Sequence, residues 1–181
     1  MLPARYKWLL DEPGPKALLV AVGLYGTFET PGHANNPGII RMAGKIAELF
    51  PSNYNQWAST FYDDDGIAWC GLFAAFCEAM AGHAPVDKYL SALAWRKYGA
   101  PVANPMLGDL LIKPRSGGGH VTRYVAEDPT HYHCIGGNQS DGVNIVRYPK
   151  MGVAWTFRRA SYRVQPSNVR VVHVAASGTP A

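Results

Sequence analysis

The feature that most restricts this chain is a change of hydrophobic period near residue 100. Upstream, apolar residues recur at helical spacing. Ile39, Ile40, Ala43, Ile46, Ala47 and Phe50 follow a three-four-three rhythm, which puts them on one stripe of a helix. Helices are predicted over 15–28, 39–50, 68–81 and 89–98. Pro13 and Pro15 precede the first, Pro51 and Asn53 end the second, and Gly82 and Gly99 close the last two. A loop rich in Gly, Asn and Pro spans 30–38. Downstream, five short β-like runs (109–113, 121–126, 132–135, 143–148 and 154–158) are each bounded by Gly, Pro, Asp or Asn. Successive strands with short connections predict an antiparallel sheet. Helices first and strands second is the order of an α+β fold.

The 181 residues, 48% of them hydrophobic, suffice for one domain with a real core and exclude wholesale disorder. The expected division is a single domain, 1–181, with an N-terminal extension 1–16, a core 17–164 and a tail 165–181. One strand-like run, 169–174, lies in that tail, which is expected to fray at its Ala-Ser-Gly-Thr-Pro end. The net charge of +4 is mild and spread out, so no nucleic-acid partner is expected. The longest apolar run, 17–28, is too short to span a bilayer, so no membrane insertion is expected. It also lacks the flanks of a signal peptide, and the chain is expected to be made in a cytoplasm. Three cysteines cannot form a disulfide scaffold.

Cys70 stands where a loop becomes a helix, in Asp-Gly-Ile-Ala-Trp-Cys-Gly-Leu-Phe. A thiol in a first helical turn feels the positive end of the dipole and free amide N–H groups, which favour the nucleophilic thiolate. Gly71 leaves room beside the sulfur. The same position suits a buried, inert cysteine equally well. His120 follows Ser116-Gly117-Gly118-Gly119 and opens a strand. It suits a general base, or else an exposed loop histidine. Asn138, in Gly136-Gly137-Asn138-Gln139-Ser140-Asp141, would lie near His120 if the two strands form a hairpin. It could orient the imidazole or simply form a Gly-Asn turn, with Asp141 the reserve candidate.

Taken in order, Trp69-Cys70-Gly71-Leu72-Phe73, Leu107-Gly108-Asp109-Leu110-Leu111, Gly119-His120-Val121 and Gly136-Gly137-Asn138-Gln139 resemble the NlpC/P60 and CHAP superfamily. These are papain-like cysteine hydrolases of bacterial peptidoglycan. The likeness is greater to a phage and prophage group, through Pro31-Gly32-His33-Ala34-Asn35-Asn36-Pro37 and the run from Asn138 to Asn144. It covers about residues 17–159. The resemblance implies a papain-like fold, with N-terminal helices packed on a C-terminal antiparallel sheet. It implies a catalytic set of Cys70, His120 and Asn138, substrate contacts from Trp69, Gly71, Gly119 and Gln139, and no metal or other cofactor.

The activity so implied is cleavage of a peptidoglycan amide, by an endopeptidase or an N-acetylmuramoyl-L-alanine amidase. An endolysin, a virion-associated lysin or an antibacterial effector would fit, acting in the periplasm or wall after holin release, virion delivery or injection. A phage tail or secretion machinery is then the expected partner besides peptidoglycan. Two other readings stay open: a structural tail or baseplate component that keeps the fold, and a cytoplasmic cysteine amidohydrolase.

Several features have plainer expectations. Asp63-Asp64-Asp65 lacks the spacing of a calcium loop and is read as solvated, with Asp65 near a helix start. His131 and His133 share a strand face that Cys134 does not. The histidines are expected at a surface or cleft edge, and Cys134 and Cys77 in the core. Arg115, Arg123, Arg147, Arg158 and Arg159 are expected on a solvated surface.

Overall fold

A computed structural model describes residues 1–32 and 34–176. A 3-10 helix, Ala4–Leu10, leads into helices α1 (Lys16–Gly23), α2 (Pro37–Leu49), α3 (Asn53–Phe61) and α4 (Cys70–Met80), and then into a 3-10 turn, Ala92–Lys97. Six strands follow: β1 (Ala100–Pro101), β2 (Leu110–Arg115), β3 (Gly118–Glu127), β4 (His131–Gly136), β5 (Asn144–Pro149) and β6 (Thr156–Arg159). They form one sheet in the order β1-β6-β2-β3-β4-β5, with every neighbouring pair antiparallel. The chain is therefore α+β.

The elements depart from expectation where the apolar pattern is weak. α1 stops at Gly23, and Gly26 turns the chain at φ 87°, a conformation glycine adopts without a Cβ penalty. α3 was not anticipated. It is capped by the Ser52 hydroxyl, which accepts from the Asn55 amide at 3.1 Å, and it buries only Asn55 and Ala58. Residues 89–98 give only the short 3-10 turn. In the tail, 169–174 makes a single bridge, Glu127 to His173, in place of a strand. The fraying expected beyond Ala176 falls outside the described residues. The N-terminal segment packs on the core through Leu2, Tyr6 and Leu9.

α4 is the central helix, with nine of its eleven residues buried. Its Glu78 is clamped to β3 by Arg123, at 2.7 Å and with both side chains buried. Tyr98 donates to the same carboxylate at 2.6 Å, and Arg123 also donates to the Gly108 carbonyl at 2.6 Å. Removing one partner of such a pair costs about 3–5 kcal/mol, because it strands a buried charge. The clamp fixes the helix that begins with Cys70 against the strand that carries His120. On the other sheet face, Leu111, Tyr124 and Cys134 form a second cluster with Tyr132, Tyr148, Trp155 and Phe157.

Candidate active site

Cys70 is the first residue of α4. The first intrahelical bond runs from the Phe73 amide to the Trp69 carbonyl, at 2.8 Å. The amides of Cys70, Gly71 and Leu72 therefore lie ahead of the helical ladder. The thiol is only 3% exposed. Burial pushes its pKa up, against the opposing pull of the Val121 amide, the Arg115 charge and the amides of Gly71 and Cys70 itself. The helix start favours the thiolate as expected, but burial outweighs it.

His120 lies in β3 and is 4% exposed. Its Nε2 is 3.1 Å from Gln139 Oε1. The orientation of the Gln139 amide follows from its other bonds. Nε2 of Gln139 donates to the carbonyls of Asn144 at 2.7 Å and Cys134 at 3.3 Å. That leaves Oε1 as the acceptor, so the imidazole donates its Nε2–H and keeps its lone pair on Nδ1. The Tyr148 hydroxyl donates to the same Oε1 at 3.0 Å and lies 3.2 Å from His120 Nε2. Thr122 Oγ1 is 2.9 Å from that oxygen. Burial, followed by the nearby charges of Lys113 and Arg115, lowers the His120 pKa to about 4 against the pull of Gln139.

The backbone amide of Val121, the residue after His120, is among the groups that oppose the effect of burial on the Cys70 thiol. Among the described residues no hydrogen bond joins the thiol to the imidazole.

Asn138, expected to orient the imidazole, does not touch it. Its backbone takes a left-handed φ of 54°, which turns the side chain away, and Nδ2 donates to Glu29 Oε1 at 2.8 Å. The neighbouring Gln139, expected as a substrate contact, holds the histidine instead. Glu29 Oε1 also accepts from Trp69 Nε1 at 2.6 Å. One carboxylate oxygen thus ties the residue before Cys70 to the residue before Gln139. Sequence reasoning missed Glu29, Thr122 and Tyr148, since nothing in their local patterns marks them.

The other expected substrate contacts are packing positions. Trp69 is fully buried. A Cβ at Gly137 would lie 2.5 Å from its ring, so that glycine admits the indole. A Cβ at Gly71 would lie 2.3 Å from the Tyr89 carbonyl oxygen, so its small size serves helix-to-backbone contact. At Gly119 a Cβ would meet Leu93 at 2.6 Å.

Three plainer expectations also change. Asp65 is buried and accepts the amides of Thr30 at 2.9 Å and Asn36 at 2.7 Å, which holds the 30–38 loop in place. His133 is fully buried between Tyr6 and Asp128. Arg123, Arg147 and Arg159 are spent on Glu78, Asp128 and Asp109, and Arg158 on the carbonyls of Tyr98 and Gly99. Cys70, Cys77 and Cys134 are all buried free thiols, and burial pushes Cys77 up to about 12. Among the described residues no group of three or more His, Cys, Asp or Glu side chains is arranged to hold a metal ion. Nor is any helix there long and apolar enough to cross a membrane.

No family model matches this chain, and no curated protein matches it. The resemblance to the peptidoglycan hydrolases therefore rests on its motifs alone.

Proposed function

We propose that the protein is a papain-like cysteine hydrolase of the NlpC/P60 and CHAP kind that cleaves an amide bond of bacterial peptidoglycan. The observation that carries this reading is the anchoring of His120 through Nε2, 3.1 Å from Gln139 Oε1, with no hydrogen bond at Nδ1 among the described residues. Gln139 takes the Nε2–H, and the free lone pair on Nδ1 can accept a proton.

In the free protein, the raised thiol and lowered imidazole pKa values make the pair neutral at pH 7. Substrate binding must bring Cys70 onto Nδ1, since such contacts often tighten only in the substrate complex. The thiol proton then passes to Nδ1 as Sγ bonds to the carbonyl carbon. The Cys70 amide, left free at the helix start, would donate to the developing oxyanion. The imidazolium returns its proton to the amine nitrogen as the C–N bond breaks. Water, deprotonated by the imidazole, attacks the thioester, the C–S bond breaks, and an acid and the thiol are released. Either an endopeptidase or an amidase fits this chemistry. Delivery by holin, virion or injection machinery belongs to the same proposal.

Burial of Cys70 and the missing thiol–imidazole bond favour a second reading, a structural tail or baseplate component that keeps the fold without turnover. Digestion of purified sacculi by wild type and Cys70→Ala, with mass spectrometry of the fragments, separates the two. The hydrolase reading expects fragments from wild type only, and their masses name the bond cut. Identical fragments from both proteins rule out Cys70 as nucleophile, and none from either supports the structural reading.

A further inference from the structure

Basic side chains divide sharply on the sheet. Arg123, Arg147, Arg159 and Lys150 each meet a carboxylate within 2.8 Å, and Arg158 is held by the carbonyls of Tyr98 and Gly99. Lys113 and Arg115 meet no carboxylate among the described residues. The two stand two residues apart on β2, so they share a sheet face. Lys113 pairs directly opposite His120 in the β2–β3 register, and Arg115 opposite Gly118. Lys113 Nζ lies 4.1 Å from the centre of the Tyr148 ring, whose hydroxyl reaches the His120 Nε2. Arg115 is exposed and Lys113 half-buried. The unpaired cations of this strand are thus gathered beside the candidate catalytic histidine.

We propose that Lys113 and Arg115 form a carboxylate-binding subsite, so that the preferred substrate carries a free carboxylate beside the amide to be cut. This deepens the hydrolase reading above and rests on it. Arg115 offers a planar fork that can hold a carboxylate through two N–H bonds, and Lys113 adds a point charge. Both cations already act on His120, and Arg115 acts on Cys70, so an anion bound between them also changes the field at the reacting pair. A carboxamide in place of the carboxylate would leave both cations unneutralised. Hydrogen bonds to charged groups are worth enough for a preference of roughly 10- to 100-fold in kcat/KM.

The test uses two end-capped stem peptides, L-Ala-γ-D-Glu-L-Lys-D-Ala with the free α-carboxylate on D-Glu, and its α-carboxamide counterpart. Cleavage of each is followed by chromatography for wild type, Lys113→Met/Arg115→Gln, and the charge reversal Arg115→Glu. Wild type should prefer the carboxylate peptide, the double variant should bring the ratio to about one, and the reversal should invert it. Equal rates in wild type, or a preference that survives in the double variant, overturns the proposal. Binding of both peptides to Cys70→Ala by calorimetry separates this failure from that of the hydrolase reading. If wild type cuts neither peptide, tighter binding of the carboxylate form that the two substitutions abolish still supports the subsite. Indistinguishable or absent binding overturns it.

Discussion

Two buried histidines on adjacent strands make the same first contact and differ in the second. His120 gives its Nε2–H to the Gln139 amide oxygen. Nε2 of His133 is 2.9 Å from the Asp128 carboxylate, and its Nδ1 is 2.7 Å from the Tyr6 hydroxyl. Burial lowers the pKa of both, in His133 despite the carboxylate beside it. A neutral His133 therefore donates from Nε2 and accepts from Tyr6 at Nδ1. Asp128 is itself occupied by Arg147 and by the amides of Thr130 and His131. Both nitrogens of His133 are closed, and its ring joins the N-terminal segment to the sheet. His120 keeps Nδ1 without a hydrogen bond among the described residues. A histidine with one nitrogen anchored and one open can do chemistry, and one with both anchored holds structure.

Replacing each histidine breaks this contrast most directly. His120→Ala should lower hydrolysis of sacculi by about 100- to 10,000-fold, the usual scale for a lost acid–base group, and leave a cooperative urea transition. His133→Phe should do the opposite. It leaves the Tyr6 hydroxyl and part of Asp128 unpaired in the core, at a cost of about 2–4 kcal/mol, while the protein that remains folded still turns over. A His120→Ala protein that fails to fold, or a folded His133→Phe protein without activity, would erase the distinction.

Acid titration sharpens it next. An unfolded histidine binds its proton near pH 6.5, whereas folded His120 does so only near 4. Between those values protons bind preferentially to the unfolded chain, so stability falls as pH drops from 6.5 to 4. For His120 the loss is at most about 3 kcal/mol. His83 goes the other way, raised by its hydrogen bond to Glu78, and serves as an internal reference. Imidazole nitrogen NMR should show His83 protonating above pH 6.5, while His120 stays neutral with its proton on Nε2 until about pH 4. The acid limb of kcat/KM should lie near the same value. A limb near 6.5 would mean that the working imidazole is solvated.

How much of this the sequence shows depends on the range of the interaction. α2 carries an apolar stripe that a 3.6-residue period reveals, and α4 is an apolar run buried nearly all round. α3, with two buried residues, has no such stripe and is held by its Ser52 cap and its neighbours. Cys70 and His120 are legible because each stands at a junction that local chemistry marks, a loop entering a helix and a glycine run entering a strand. Glu29 reaches its partner Asn138 across 109 positions, which no local pattern encodes. Burial of the thiol is likewise a tertiary fact, and it reverses the pKa direction that the helix start alone implies.

The smallest expected effect concerns two neighbouring residues, Asn138 and Gln139. Their order of importance is set by one backbone angle. At φ 54° the Asn138 side chain leaves the imidazole for Glu29, and Gln139 takes its place. Gln139→Ala removes the acceptor that fixes the His120 tautomer and should lower kcat by roughly 10- to 100-fold, the scale of a buried hydrogen bond to a reacting group. Asn138→Gly keeps the left-handed backbone free of strain and removes only the bond to Glu29, which still accepts from Trp69. Its kcat should fall by less than about threefold, in line with a single half-exposed hydrogen bond. A large loss at Asn138 with little change at Gln139 would return the orienting role to the asparagine and require the 137–143 loop to rearrange when substrate binds.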